Sequence, residues 1–175
     1  MALKSQDLQG FVEEFQKESD RATAILGAAL LDEKLLHLLT AFLVSDSKQV
    51  DLLLGIEQPL GSFGARIRTA YCLGLVTRNA FDILTIIKGI RNAFAHHLHG
   101  LSFADPHIAK DCGRLRVISK MPSDVVKSNR DAFLSATLSA QLELWGTTTS
   151  IEAGHRRCKV PEWKTLVEWR SSQEK

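Results

Sequence analysis

The sequence predicts an all-α fold: a single compact multi-helix domain, about six to seven helices built around a long central one. Three observations lead there. Apolar residues recur at three- and four-residue intervals along most of the chain, the spacing of one helix face. Runs of Val, Ile and Thr with strand-like alternation are few. The four prolines, Pro59, Pro106, Pro122 and Pro161, all fall outside the periodic stretches, where they do not break a helix. A chain of 175 residues, 45% of them hydrophobic, suits one domain with a proper core.

The elements follow in order. Leu8, Phe11, Val12 and Phe15 place a first helix over 6–18. Asp20 is the expected N-cap of the longest helix, which runs to about Val44. In it Ile25, Leu26, Ala29, Leu30, Glu33, Leu36, Leu39 and Leu43 fall near one stripe. Leu31, Leu35 and Leu38 widen that stripe, which makes the helix central. A short segment over 48–54 ends at Gly55, and Pro59 and Gly61 form a turn. Ser62 caps a helix over 63–73, which presents Phe63, Ile67, Tyr71 and Leu75 to the core and stops at Gly74. The next helix spans 78–96, with Phe81, Ile83, Leu84, Ile86, Ile87, Ile90 and Phe94. Asp105–Pro106 reads as an N-cap followed by proline in the first helical position, opening a helix over 106–116. A long helix over 127–146 carries Phe133, Leu134, Leu138, Leu142 and Trp145. The expected division is a helical domain over 1–147 and a tail over 148–175, docked or partly disordered. Trp163 and Trp169 in that tail are expected to dock on the body or on a partner.

Composition narrows the function. A formal net charge of +2 lacks the strongly basic stripe of a dedicated DNA-binding domain. No helix–turn–helix with an exposed recognition helix stands out. Three widely spaced cysteines, Cys72, Cys112 and Cys158, exclude a disulfide framework and fit reduced thiols. Cys72 and Cys112 read as small buried hydrophobes. The N-terminal residues do not resemble a signal peptide, and no apolar run is long enough for a membrane span. A soluble, cytoplasmic protein is expected.

The most informative stretch is IIKGIRNAFAHHLHG, residues 86–100. It places Arg91, Asn92 and His96 near the end of an otherwise apolar helix, where burying polar groups carries a desolvation cost. One use of such groups is a structural network: Arg91 paired with Asp32 or Glu33 on the central helix, Asn92 and His96 bonded to carbonyls at the helix end. The other is catalysis without a metal, His96 abstracting the proton of an RNA 2′-hydroxyl while Arg91 steadies the scissile phosphate. The structural network is the favoured reading, with no catalytic residues. Residues five apart on a helix are about 140° apart around the axis, so the Arg91–His96 pair meets only if the helix ends or tightens between them, or across a dimer.

Other candidates are weaker. His96, His97, His99, His107 and Cys112 cluster in sequence, but their spacing matches no closed metal site, and no metal or cofactor is expected. Gly55, Gly61 and Gly64 lack the lysine and hydroxyl of a phosphate loop, and Ser62 lacks the strand–turn–helix setting of an esterase nucleophile. Asp32, Glu33 and Asp46 form a solvated face or partner Arg66, Arg68 or Arg91. Arg66 and Arg68 themselves read as surface or salt-bridge residues. Arg156, Arg157 and Lys159 would give only modest, salt-sensitive contact with nucleic acid.

Three segments resemble the mannitol operon repressor family: RATAILGAALLDEKLLHLLTAFLV at 21–44, LLLG with PLGSFGARIRTAYCLGLV at 52–55 and 59–76, and DILTIIKGIRNAFAHHLHGLSFADPHI at 82–108. The combination of GSF, ARI, AY and LGL followed by IRN and FAH is rather specific. The resemblance implies an all-helical regulator of sugar-alcohol use that acts with a protein partner, such as a DNA-binding regulator, rather than by reading DNA itself. RNAFAH is also similar to the motif of the HEPN superfamily, helical dimers that include metal-independent ribonucleases. That similarity would make Arg91 the phosphate-binding arginine, Asn92 the polar residue beside it and His96 the catalytic histidine. The expectation drawn from all of this is a partner-binding regulatory module, dimeric and not an enzyme, with the ribonuclease as the alternative.

Overall fold

The computed structural model describes residues 15, 17–97, 100–120, 126–154 and 158–159, and it is all-helical there. Six helices follow one another among the described residues: α1 Asp20–Phe42, α2 Ser47–Leu54, α3 Phe63–Cys72, α4 Arg78–His96, α5 Pro106–Ser119 and α6 Asn129–Glu152. They form the single compact domain that the periodicity predicts, with no strand among the described residues. The expected helix over 6–18 lies almost wholly outside them, although Phe15 is buried. Trp163, Trp169, Arg156 and Arg157 also lie outside.

Helix α1 is central and packs against α3, α4 and α6. Its start is fixed at several points. Ser19, rather than Asp20, is the N-cap, accepting from the Ala22 amide. Asp20 instead ties three segments together, accepting from Arg130 Nη1 at 2.8 Å and from the Phe103 amide at 3.0 Å. Helices α1 and α6 run parallel. Asp20 meets Arg130, Gly27 faces Phe133 and Thr137, and further along Lys34 and His37 share a cleft with Gln141 and Trp145. A Cβ on Gly27 would lie 2.9 Å from the Phe133 ring, so the glycine sets how closely the two axes approach.

The buried face of α1 is Thr23, Ala24, Gly27, Ala28, Leu31, Leu35, Leu38 and Leu39. This corrects the expected stripe through Leu26 and Leu30, because Leu26 is exposed. The row from Ala24 through Ala28, Leu31, Leu35 and Leu38 has regular i+3/i+4 spacing, but its small members carry little hydropathy. Helix α6 repeats the lesson. Ala132, Phe133, Ala136, Thr137, Ala140 and Leu144 are buried, while Leu142 and Trp145, expected on the core face, are exposed. The helix also continues past the expected stop near residue 146, ending at Glu152. Phe103 connects the core layers, its ring centroid 5.2 Å from Phe94 and 5.3 Å from Phe133.

The caps follow the sequence. Ser62 accepts from the Ala65 amide, and Gly74 takes a positive φ of 65° just past α3. Asp105 stands at the N-cap of α5 but turns its carboxylate back to Ser102, accepting from that amide at 2.7 Å. Beyond α6, the Cys158 amide donates to the Phe42 carbonyl at the end of α1. Among the described residues no helix is long and apolar enough to cross a membrane.

Candidate functional site

Helix α4 carries the stretch that the sequence singles out. Its core face, from Ala80 through Ile83, Leu84, Ile87 and Ile90 to Phe94, is buried. Arg91 and His96 are not on that face; both are exposed, and Asn92 is half-buried. Arg91 Nη1 donates to the Asn92 side chain at 3.1 Å. The helix continues through His96 without ending or tightening, so the two groups stay about 140° apart around the axis.

The expected pairing of Arg91 with Asp32 or Glu33 is not formed. Asp32 is taken by Arg66, whose Nη1 lies 2.8 Å from Asp32 Oδ1. Glu33 is exposed, with Lys34 Nζ and His37 Nε2 each at 3.9 Å. The reason is placement. Asp32 faces α3, where Arg66 sits, whereas Arg91 projects from the outer side of α4.

Arg66 is therefore the buried cation of the molecule's described part, at 7% exposure: of its two expected readings, surface or salt bridge, the salt bridge to Asp32 is the one formed. Arg68 is exposed, as expected. All three arms of the Arg66 guanidinium are used. Nη2 donates to the Leu54 carbonyl at 2.8 Å, Nε to the Leu60 carbonyl at 3.1 Å, and Nη1 to Asp32. Leu54 closes α2 and Leu60 precedes α3, so one side chain braces both ends of the turn over 55–59 and ties it to α1. A sequence signal did exist: Arg66 stands three after Phe63 and four before Ala70, on the face that packs.

No group of three or more His, Cys, Asp or Glu converges among the described residues, and His99 lies outside them. Cys112 is fully buried, and that burial, with Asp111 nearby, pushes its thiol up to about 12. Cys72 is exposed, contrary to its reading as a buried hydrophobe, because α3 turns that position away from the core.

A surface that sequence reasoning missed lies between α1 and α6. Lys34, His37, Gln141, Trp145, Thr148, Thr149 and Glu152 line an open cleft of about 390 Å³. Trp145 is 38% exposed beside it. Gln141 Oε1 is buried with no hydrogen-bond partner among the described residues. An unpaired amide oxygen beside a half-exposed tryptophan suits a surface completed by another molecule.

These helices match a known family model, mannitol repressor, over residues 11–146. The chain belongs to the mannitol repressor family. A chain in the X-ray structure of the MtlR–HPr complex from Escherichia coli aligns with a TM-score of 0.54 at 20% identity, covering 78% of this chain and 92% of that one. At that identity the likeness shows the fold. No curated protein sequence matches the chain. Neither similarity is to a ribonuclease, and the family that holds this chain is named for repression rather than for a reaction.

Proposed function

We propose that this chain is a cytoplasmic regulator of the mannitol-repressor type that acts by binding a protein partner rather than by reading DNA. Its genes, in this reading, are those of sugar-alcohol use. The observation that carries the proposal is the family match across residues 11–146, which takes in all six described helices except the last six residues of α6. HPr is the partner in the MtlR–HPr complex, so a protein of that kind is the first candidate for this chain. The α1/α6 cleft supplies the surface, with Trp145 as the anchor that partly exposed tryptophans supply at interfaces. Self-association into a homodimer belongs to the same reading.

The test is calorimetric titration of the full chain with purified HPr. Saturable binding that weakens about tenfold or more in Trp145→Ala supports the reading. No heat with HPr removes that partner, and binding indifferent to Trp145 removes the cleft. In a mobility-shift salt series, a steep loss of affinity for operator DNA would show phosphate contact and overturn the indirect mode of action.

A further inference from the structure

The turn that Arg66 braces is an unusual object. Its tip, Ile56, is 89% exposed, and Leu52 in the last turn of α2 is 53% exposed. Singly exposed aliphatics are ordinary, but a rigid pair is not. The base of this turn is closed by Leu60 N to Leu53 O at 2.9 Å, Gly61 N to Gln58 O at 2.8 Å and Gly55 N to Asp51 O at 2.9 Å. Arg66 adds its bonds to the carbonyls of Leu54 and Leu60. Gly61 has no room for a side chain, since a Cβ there would lie 2.4 Å from the Gly55 carbonyl oxygen. Glu57, next to the tip, is held at a φ of 63°. A loop so constrained has little conformational entropy left to lose when something covers its isoleucine. Exposed Asp51 and Glu57 flank it and, against one exposed lysine, Lys48, a turn earlier on α2, leave the knob net acidic.

The outer face of α5 is the counterpart. Lys110, Gly113, Arg114, Val117 and Ile118, on one side of the helix, line a shallow groove of about 410 Å³. Val117 is 76% exposed, and a Cβ on Gly113 would meet nothing within 4 Å, so the floor is apolar and open. Exposed Lys110 and Arg114 make the rim basic. Arg114 leans on Asp111 at 3.1 Å through one nitrogen, which leaves its other donors available.

We propose that two copies of this chain associate by seating the Ile56 turn of one in the α5 groove of the other. An acid-flanked aliphatic knob and a base-rimmed aliphatic groove match in both hydrophobicity and charge. Within one copy both stay exposed, so they do not satisfy each other. Each copy carries both halves. Reciprocal exchange closes a dimer, whereas one-way exchange grows chains with concentration. The inference rests on the homodimer of the preceding reading and is independent of the partner.

Sedimentation of the full chain without partner tests it. The wild type is expected to exceed the monomer mass in the micromolar range. Ile56→Glu and Val117→Glu, both at exposed sites, are expected to weaken association about tenfold or more. Charge reversal supplies a test immune to misfolding. Asp51→Lys/Glu57→Lys makes the knob basic, and Lys110→Glu/Arg114→Glu makes the groove acidic. Each reversed variant is expected to be monomeric alone, and an equimolar mixture is expected to associate, because each knob then meets a groove of opposite sign. A monomeric wild type overturns both the contact and the homodimer while leaving partner binding to its own titration. A wild-type oligomer indifferent to these substitutions, or a mixture that stays monomeric, overturns the contact alone.

Discussion

Arg66→Ala is the perturbation whose cost the structure specifies best. The guanidinium satisfies two carbonyls, those of Leu54 and Leu60, and one carboxylate, Asp32. Leu54 is almost fully buried and Leu60 half-buried, so neither residue sits fully in water. A buried acceptor left unpaired costs about 1–3 kcal/mol, which gives about 2–5 kcal/mol for the two carbonyls. Asp32 adds little, because its side chain is 30% exposed and can be hydrated when the arginine is gone. Two graded controls separate these contributions. Arg66→Lys keeps the charge but cannot reach both carbonyls, and it should cost about 1–3 kcal/mol. Asp32→Asn keeps an acceptor for Nη1 but leaves the buried guanidinium without its counter-charge, and should cost about 1–2 kcal/mol, less than Arg66→Ala. Urea unfolding followed by far-UV circular dichroism reads all three, and Arg66→Ala should lower the midpoint by roughly 1–2 M. The reasoning fails if Arg66→Ala lies within about 0.5 kcal/mol of wild type, the range of an ordinary surface change. It fails differently if Asp32→Asn costs as much as Arg66→Ala, since the ion pair and not the carbonyls would then hold the turn.

Further outcomes are expected. Gly27→Val should destabilise by about 1–3 kcal/mol, because its Cβ meets the enclosed Phe133 ring; thermal melts check this, and an unchanged midpoint would show that the ring moves aside. Thiol labelling at mildly alkaline pH should modify exposed Cys72 at once and spare Cys112 until the chain unfolds. The Cys112 thiol is raised from 9.0 to about 12, so its neutral form contributes stability that is complete below the lower value and lost as pH climbs towards the upper. The wild type should therefore lose stability more steeply than Cys112→Ala across that window. Finally, RNA incubated with the pure protein in EDTA should remain intact, and Arg91→Ala and His96→Ala, at exposed positions, should each change stability by less than about 0.5 kcal/mol. Cleavage that vanishes in His96→Ala would restore the ribonuclease reading.

Periodicity and punctuation made the architecture legible. The helix expected over 78–96 is found at Arg78–His96, because its Ile and Phe spacing has one solution and its ends are polar. Ser62 and Gly74 bound α3 as their chemistry requires. Faces were harder to read. In α1 and α6 the packed rows consist largely of Ala, Thr and Gly, small residues that admit close helix approach yet look neutral in hydropathy. Larger residues such as Leu26, Leu142 and Trp145 drew the expected stripe outward, onto surface. The polar network was located on the wrong arginine for a related reason. A desolvated charge is stabilised by the acceptors around it, and those of Arg66 are backbone carbonyls that no residue type announces. Arg91, whose neighbours in sequence are more apolar, proves to point outward.

Arg66 also separates stability from recognition. A turn needed only to connect α2 to α3 would gain by folding its isoleucine inward; this one holds Ile56 out while a buried guanidinium fixes the backbone beneath it. If the tip exists for contact, Ile56→Glu should leave the urea midpoint unchanged, within about 0.5 kcal/mol, and still weaken self-association about tenfold or more. Arg66→Ala should lose both stability and association, since the knob then has a choice of conformations to give up on docking. Hydrogen exchange at the amides of Gln58, Leu60 and Gly61 connects the two effects. Protection there should fall in Arg66→Ala and persist in Ile56→Glu. A large loss of stability in Ile56→Glu would mean that the side chain packs at home after all, and recognition would have to be sought on another face.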